Sequence, residues 1–309
     1  MQNQRYLLVT PARNEEAALP ALIECIRGQT VLPVRWIIVS DGSTDGTDAI
    51  AARCATEYPW IKHVRREKPG VELKRLEKVS PGKVSAIQLA LELAGDCEYE
   101  FFACLDADVS MPNDYYEKVI GRLLENPRLG LAGGAVYSVL PDGTDLGGGF
   151  TNPHAVSGAI QVFRRQCYED IGGYKPYGHN DCIACDEAEA MGWEVRCFLD
   201  IRVVHHAPEE GYATTINSKV PMCFYMGKMD YISRIPLWFE VVKSAHRCLW
   251  KPYLLAGASL LCGYLCAVAR RMQKIPRYGS VWATHRVHAR FLLRKLFPSR
   301  KGCSDRTRT

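Results

Sequence analysis

The residues best suited to chemistry are three short clusters of acids and one glycine–lysine pair. Asp106-Ala-Asp108 sets two carboxylates two residues apart. Held in a turn, they can share a hard divalent cation, Mg2+ or Mn2+, that bridges to a diphosphate, although capping of the following helix uses the same pattern. Asp41-Gly-Ser-Thr-Asp45 is an acidic turn. Asp41 can accept hydrogen bonds from a ribose hydroxyl or a base N–H, or the segment can close as an Asx-turn with Asp45 or Thr47 capping a helix. Pro11-Ala-Arg-Asn-Glu-Glu16 opens a helix whose backbone N–H groups can face an anion, with Arg13 available to a phosphate or to a neighbouring acid. Gly82-Lys83 brings a second cation to the start of another helix. Cys182-x-x-Cys185, with His179 and His205, supplies zinc-type ligands but has no partner pair at finger spacing, so it reads as a pair of buried thiols.

These clusters need elements that hold them together. Arg5–Thr10, Val34–Val39, Ile61–Arg65 and Phe101–Leu105 are short apolar runs that read as buried strands. Between them Glu15–Gly28, Thr47–Tyr58 and Pro81–Ala94 carry helical spacing, and Pro112–Glu125 follows with proline in its first turn. This alternation predicts an α/β fold with a mostly parallel, Rossmann-like central sheet and helices on both faces. Each acidic cluster directly follows a strand, and ligands bind at the carboxyl ends of such strands. All three clusters then fall along one edge of the sheet. Beyond Leu129 the pattern is less regular. Gly133, Gly134 and Gly147–Gly149 mark loops or close backbone approach, Ser157–Arg165 reads as a strand, Asp186–Met191 as a helix, and Glu194–Leu199 and Arg202–Val204 as late strands.

In this order the clusters resemble the family 2 glycosyltransferases of the GT-A fold, of the bacterial polysaccharide and cell-wall type. The likeness continues through Ser157-Gly-Ala-Ile-Gln-Val-Phe-Arg-Arg165, Ile171-Gly-Gly-Tyr174, His179-Asn-Asp181 with Asp186 and Gly192-Trp-Glu-Val195, and Val203-Val-His205-His206, covering about residues 5–207. The resemblance implies that Asp41 binds the nucleoside of a nucleotide-sugar donor beside Pro11, Arg13 and Glu15. It implies that Asp106 touches the ribose or sugar, with Lys83 as a cationic partner. Asp108 would bind the metal, His205 or His206 would complete the metal or diphosphate contacts, and Asp181 would be the catalytic base. Where the family commonly has Glu before that base, this chain has Asn180. Capping of the next helix is the other use for Asp181. The implied reaction is an inverting, metal-dependent sugar transfer to a hydroxyl of a glycan or lipid-linked acceptor. The rivals are transfer to a polyprenyl phosphate, nucleotidyl transfer on a related sheet, and a non-catalytic membrane-associated binding module.

The 309 residues are 47% hydrophobic and 24% charged, which excludes disordered, collagenous and low-complexity classes. The net charge of +5 is unevenly placed: residues 270–309 hold twelve Lys/Arg and one acid, Asp305, so the remainder is acidic, which argues against nucleic acid as a partner. Thirteen cysteines scattered through apolar stretches read as reduced thiols, and MQNQRYLLVTPARNEE has no signal-peptide pattern, so a cytoplasmic catalytic body is expected. Residues 252–269 carry no charge over 18 positions and are flanked by Lys251 and Arg270-Arg271. The segment reads as a helix that is embedded in a membrane, lies in its surface, or is buried in a core. Pro236–Val242 and Trp250 read as interfacial anchors, and Arg286–Phe297 as a basic-apolar stretch for an anionic leaflet. The expected organisation is a catalytic domain over 1–215 and a helical, membrane-associated extension over 216–309, on the cytoplasmic side of the cell membrane.

Overall fold

The computed structural model describes residues 4–67, 81–139, 152–176, 179–206, 216–249 and 251–274. Gly147–Gly149, Trp250 and the basic stretch Arg286–Phe297 lie outside these. The chain falls into two compact units, Met1–Tyr212 and Ala213–Thr309.

The first unit is built on an eight-stranded sheet. Its strands are β1 (Tyr6–Ala12), β2 (Arg35–Asp41), β3 (Ile61–Arg66), β4 (Phe101–Leu105), β5 (Val109–Ser110), β6 (Leu129–Val139), β7 (Ile160–Arg164) and β8 (Glu194–His206), in the order β3-β2-β1-β4-β7-β6-β8-β5. Strands β1 to β4 pair in parallel, and so do β6 and β8, whereas β7 runs against both its neighbours and β5 against β8. Among the described residues six helices cover the sheet: α1 (Leu19–Arg27), α2 (Thr47–Glu57), α3 (Pro81–Ala94), α4 (Tyr115–Glu125), α5 (Arg165–Asp170) and α6 (Asn180–Ala190).

The continuous apolar strands follow from burial on both faces. Side chains alternate across a strand, so Tyr6, Leu8, Trp36 and Ile38 pack with α1, α2 and α4 on one side. Leu7, Val9, Ile37 and Val39 pack with α3, α5 and α6 on the other.

Several boundaries differ from expectation for local reasons. Helix α1 begins at Leu19 and not at Glu15, because Glu15–Ala18 forms a turn whose Ala18 and Leu19 N–H groups donate to the Glu15 carbonyl. Helix α4 begins at Tyr115 and not at Pro112, because the carbonyls of Pro112 and Asn113 accept from Gln29 and Thr30. Gly133 and Gly134 lie inside β6, so of their two expected uses it is close backbone approach that holds and not a loop. A Cβ there would stand 2.5 Å from Val156 Cγ1 and 2.5 Å from the Ile201 carbonyl oxygen, respectively. The two late strands are one, β8, whose register against β6 shifts between Gly134 and Ala135. The expected helix Asp186–Met191 begins earlier, at Asn180, and so includes Asp181.

The second unit contains α7 (Ile216–Ile232), α8 (Leu237–Arg247) and α9 (Leu255–Ala269). Helices α7 and α9 meet backbone to backbone: a Cβ on Gly227 would stand 1.9 Å from the Leu260 carbonyl oxygen, and one on Gly263 1.9 Å from that of Phe224. The uncharged segment 252–269 is helical only from Leu255. Among the described residues no helix is long and apolar enough to cross a membrane.

Candidate active site

The parallel strands bring the acidic clusters to one edge. Pro11, Asp41, Arg66 and Asp106 all stand at or just beyond carboxyl ends of β1 to β4. The first two loops clasp each other. Asn14 N–H donates to Ser43 Oγ (3.2 Å), Thr44 N–H to Asn14 Oδ1 (2.9 Å), Glu15 N–H to Thr47 Oγ1 (2.8 Å) and Gly46 N–H to Glu16 Oε2 (2.8 Å). Asp45 closes its own turn, accepting from Thr47 N–H and Oγ1–H. Thr47 is used to hold Glu15 and does not cap α2. Arg13 stands exposed beside this clasp and pairs with no acid among the described residues.

Asp41 is buried at the end of β2, 2.5 Å from Arg66 Nη2. Neither Asp41 Oδ1 nor Arg66 Nε has a well-aligned hydrogen-bond partner. The first turn of α3 lies over this carboxylate. A Cβ at Gly82 would stand 2.5 Å from Asp41 Oδ2, so only glycine fits without a shift.

The next residue, Lys83, joins the two halves of the site. Its Nζ pairs with Asp106 and donates to the Gly158 carbonyl oxygen (3.1 Å). Burial alone would pull its ammonium down, but the Asp106 carboxylate holds it above the ordinary lysine range. On the other side of Gly158, its N–H donates to Asp181 Oδ2 (3.1 Å). One glycine therefore separates the Lys83–Asp106 pair from Asp181. A Cβ on Gly158 would come within 2.8 Å of the Asp181 side chain.

Asp181 is in the first turn of α6, but its carboxylate turns to Gly158 and does not cap the helix. The cap position is His179, with φ 58° and no side-chain capping bond. Two residues that the motif pattern did not single out hold Asp181 from behind. Gln161, fully buried on β7, donates from Nε2 to the carbonyls of Asp181 (3.2 Å) and Val156 (3.0 Å). Its Oε1 accepts from Tyr174 Oη–H (2.5 Å). The legible signal was an amide in the middle of an otherwise apolar strand, where a buried polar group needs partners.

Asp108 and His205 meet across the β5–β8 pairing, with Nε2 to Oδ2 at 3.0 Å. The bond to Asp108 raises the imidazole above its ordinary value. His206 turns away to Ser110 Oγ (2.8 Å), as alternation along a strand requires. Glu15 lies near this pair. Its carboxyl is pushed up to about 7, first by burial and then by the charges of Asp108, Asp106 and Asp45.

A surplus of negative charge thus surrounds the Asp108–His205 pair. A carboxylate oxygen and an imidazole nitrogen at hydrogen-bond distance form a donor set that suits Mn2+ or Mg2+. Among the described residues no group of three or more His, Cys, Asp or Glu side chains is disposed to hold a metal ion. The expected buried thiol pair is corrected: Cys185 is buried against Val156 and Gln161, whereas Cys182, three residues earlier on α6, is exposed.

Comparison with known proteins adds to this geometry. The sequence profile "Glycosyl transferase family 2" matches residues 7–171. The succinoglycan biosynthesis protein ExoA of Rhizobium meliloti (strain 1021) is 27% identical over 299 residues, covering 90% of this chain and 82% of that protein. A mannosyltransferase, PcManGT from Pyrobaculum calidifontis, solved with GDP-Man and Mn2+, superposes with a TM-score of 0.54 at 18% identity, covering 96% of this chain and 82% of its own. S. aureus TarS 1–349, solved with UDP, gives 0.52 at 14% identity over 90% and 94% of the two chains. The shared architecture is the GT-A fold.

Proposed function

Since the chain belongs to glycosyl transferase family 2 and is a glycosyltransferase, we propose that it transfers a sugar, with inversion, from a nucleotide-sugar donor to a hydroxyl acceptor. The acceptor is a glycan or a lipid-linked sugar at the cytoplasmic face of a membrane. The name of its relative ExoA supports a place in bacterial polysaccharide assembly.

The observation that carries this reading is the chain Asp106–Lys83–Gly158–Asp181. It sets a donor-side carboxylate and an acceptor-side carboxylate on opposite sides of one glycine. On the donor side, Asp41 and Arg66 offer an acceptor and a donor atom without aligned partners, which suits the polar edge of a nucleoside. Pro11, Arg13 and Glu15 border that position, and the exposed Arg13 guanidinium suits a phosphate. Asp106 stands by for the ribose or sugar hydroxyls. Lys83 fixes it and keeps a positive charge facing the donor.

Asp108 and His205 would hold a divalent cation, Mn2+ or Mg2+. When bound, the cation offsets the charge that builds on the leaving diphosphate. Asp181 accepts the proton of the attacking hydroxyl. The Gly158 N–H on its Oδ2 directs the carboxylate and leaves its other oxygen for the acceptor.

Asp181→Asn tests the base. An amide keeps the acceptor atom for Gly158 N–H but cannot take a proton at neutral pH. The expected result is a loss of roughly 10²–10⁴-fold in kcat with unchanged donor affinity. Near-full activity would assign a phosphate acceptor, already anionic, in place of a hydroxyl. Release of pyrophosphate would assign nucleotidyl transfer.

A further inference from the structure

We propose that the helical unit docks on an anionic bilayer surface through the outward faces of α8 and α9, lying in the interface without crossing it. The proposal rests on the membrane-face reading above and supplies the surface that makes it.

The packing of this unit is reversed relative to a water-soluble bundle. On α8 the buried positions include Glu240 (0% exposed) and Ser244 (4%), while Leu237, Trp238, Val241 and Val242 face outward at 39–50% exposure. On α9 the buried positions are mostly small: Ala256, Gly257, Gly263 and Ala267 beside Leu260 and Tyr264. Its outward positions include the large apolar Leu255, Leu265 and Val268 along with the smaller Ala258, Cys262 and Ala269, preceded by exposed Tyr253 and Leu254. A soluble helix buries its large apolar stripe and exposes its polar one. Small residues inside and large apolar residues outside are the pattern of helices surrounded by lipid. Most of the exposed large apolar side chains among the described residues belong to this unit.

Charge identifies the lipid. The acids of residues 216–274 are Asp230 and Glu240, and both are buried, Asp230 against Lys243 at 2.5 Å. The exposed face therefore carries no carboxylate, whereas Lys251, Arg270 and Arg271 stand exposed at the two ends of α9. An apolar face rimmed only by cations complements a leaflet of anionic headgroups. Trp238 and Tyr253 supply the aromatic rings that settle at headgroup level. Helix α9 has 15 residues, about 22 Å of helix, against about 30 Å of hydrocarbon, so it lies in the interface.

The test is flotation of the full-length chain with phosphatidylcholine vesicles, with and without about 30 mol% phosphatidylglycerol. The chain should float with the anionic vesicles and largely remain behind with the neutral ones. Leu237→Ser, Val241→Ser and Leu265→Ser together should weaken vesicle partitioning about tenfold or more. Their melting temperature and nucleoside-diphosphate affinity should stay at the wild-type values, because the three side chains are exposed. Lys251→Gln with Arg270→Gln and Arg271→Gln should remove the preference for anionic lipid. The proposal is overturned if the wild-type chain floats with neither vesicle, floats equally with both, or floats undiminished in the triple serine variant. It is also overturned if the chain forms a dimer in sedimentation that the serine variant dissociates while vesicles bind neither. Vesicle binding without sugar transfer would leave this surface standing and remove the proposed reaction.

Discussion

At the scale of single residues, the proposed cation site turns on which protons compete with the cation. Asp108 raises His205 above the ordinary imidazole value of 6.5 by accepting its hydrogen bond. A folded value above the unfolded one means that the pair contributes its full stability below about pH 6.5 and loses it as pH rises through the raised value. Cation binding has the opposite sense, because it needs the Nε2 lone pair free. Mn2+ affinity in the presence of a nucleoside diphosphate should therefore strengthen from about pH 6 to about pH 8, approaching tenfold per unit at the acid end. Calorimetry at the two ends checks it. A flat profile would remove His205 from the ligand set. Arginine at Asp41 and lysine at Asp106 illustrate the same economy: each donor-side carboxylate has its cation from a neighbouring element, and neither is left to bind a stray one.

At the scale of elements, Asp181, the proposed base, depends on a strand that does not carry it. Strand β7 runs against its neighbours and places Gln161 under both the loop before it and the first turn of α6. Replacing Gln161 with Leu keeps the approximate shape but takes the amide from the carbonyls of Asp181 and Val156 and from the Tyr174 hydroxyl, with only Cys185 Sγ still reaching Val156. A destabilisation of about 1–3 kcal/mol follows from such orphaned groups. The sharper expectation is kinetic: kcat should fall and the acidic limb of the pH–rate profile, which reports the proposed base, should distort, while donor affinity, which the proposed reading sets on the other side of Gly158, holds. Equal losses in kcat and donor affinity would mean general collapse of the site and not loss of positioning. Tyr174→Phe should show the same effect in weaker form, since it removes one bond and no volume.

At the scale of the whole molecule, the two units differ in what they bury. The sheet unit hides large side chains such as Trp36, Tyr115 and Phe163, and the helical unit hides glycine, alanine and a glutamate beside Phe239, Leu260 and Tyr264. Ligand that binds only the folded sheet unit should raise its melting temperature by mass action. At about a hundredfold excess over Kd the gain is near 2.7 kcal/mol, a shift on the order of 5 °C. A scan of nucleoside diphosphates with Mn2+ should show the shift for the matching base, and a chelator should abolish it. A shift that survives chelation would place the diphosphate on Arg13 and Lys83 alone.

The order of strands and helices, the acidic clusters at strand ends and the family were legible in the sequence. Burial on both faces forces continuous apolar runs, and short polar motifs at turns keep their chemistry wherever the fold puts them. Phe101–Leu105 and Pro81–Ala94 could be read to the residue for that reason. The strand containing Gly133 and Gly134 could not, because those glycines are required by Val156 and Ile201, distant in sequence and adjacent in space. Which of His205 and His206 meets Asp108 was likewise open until the pairing of Val109 with His205 fixed the face that each imidazole takes. Gln161 stood inside a quoted stretch with no role of its own, since two of its partners are backbone carbonyls that any sequence supplies. Local propensity and patterning are properties of the chain itself, whereas register, close approach and the partners of buried polar groups exist only once separate segments meet, and these decided how the site is held.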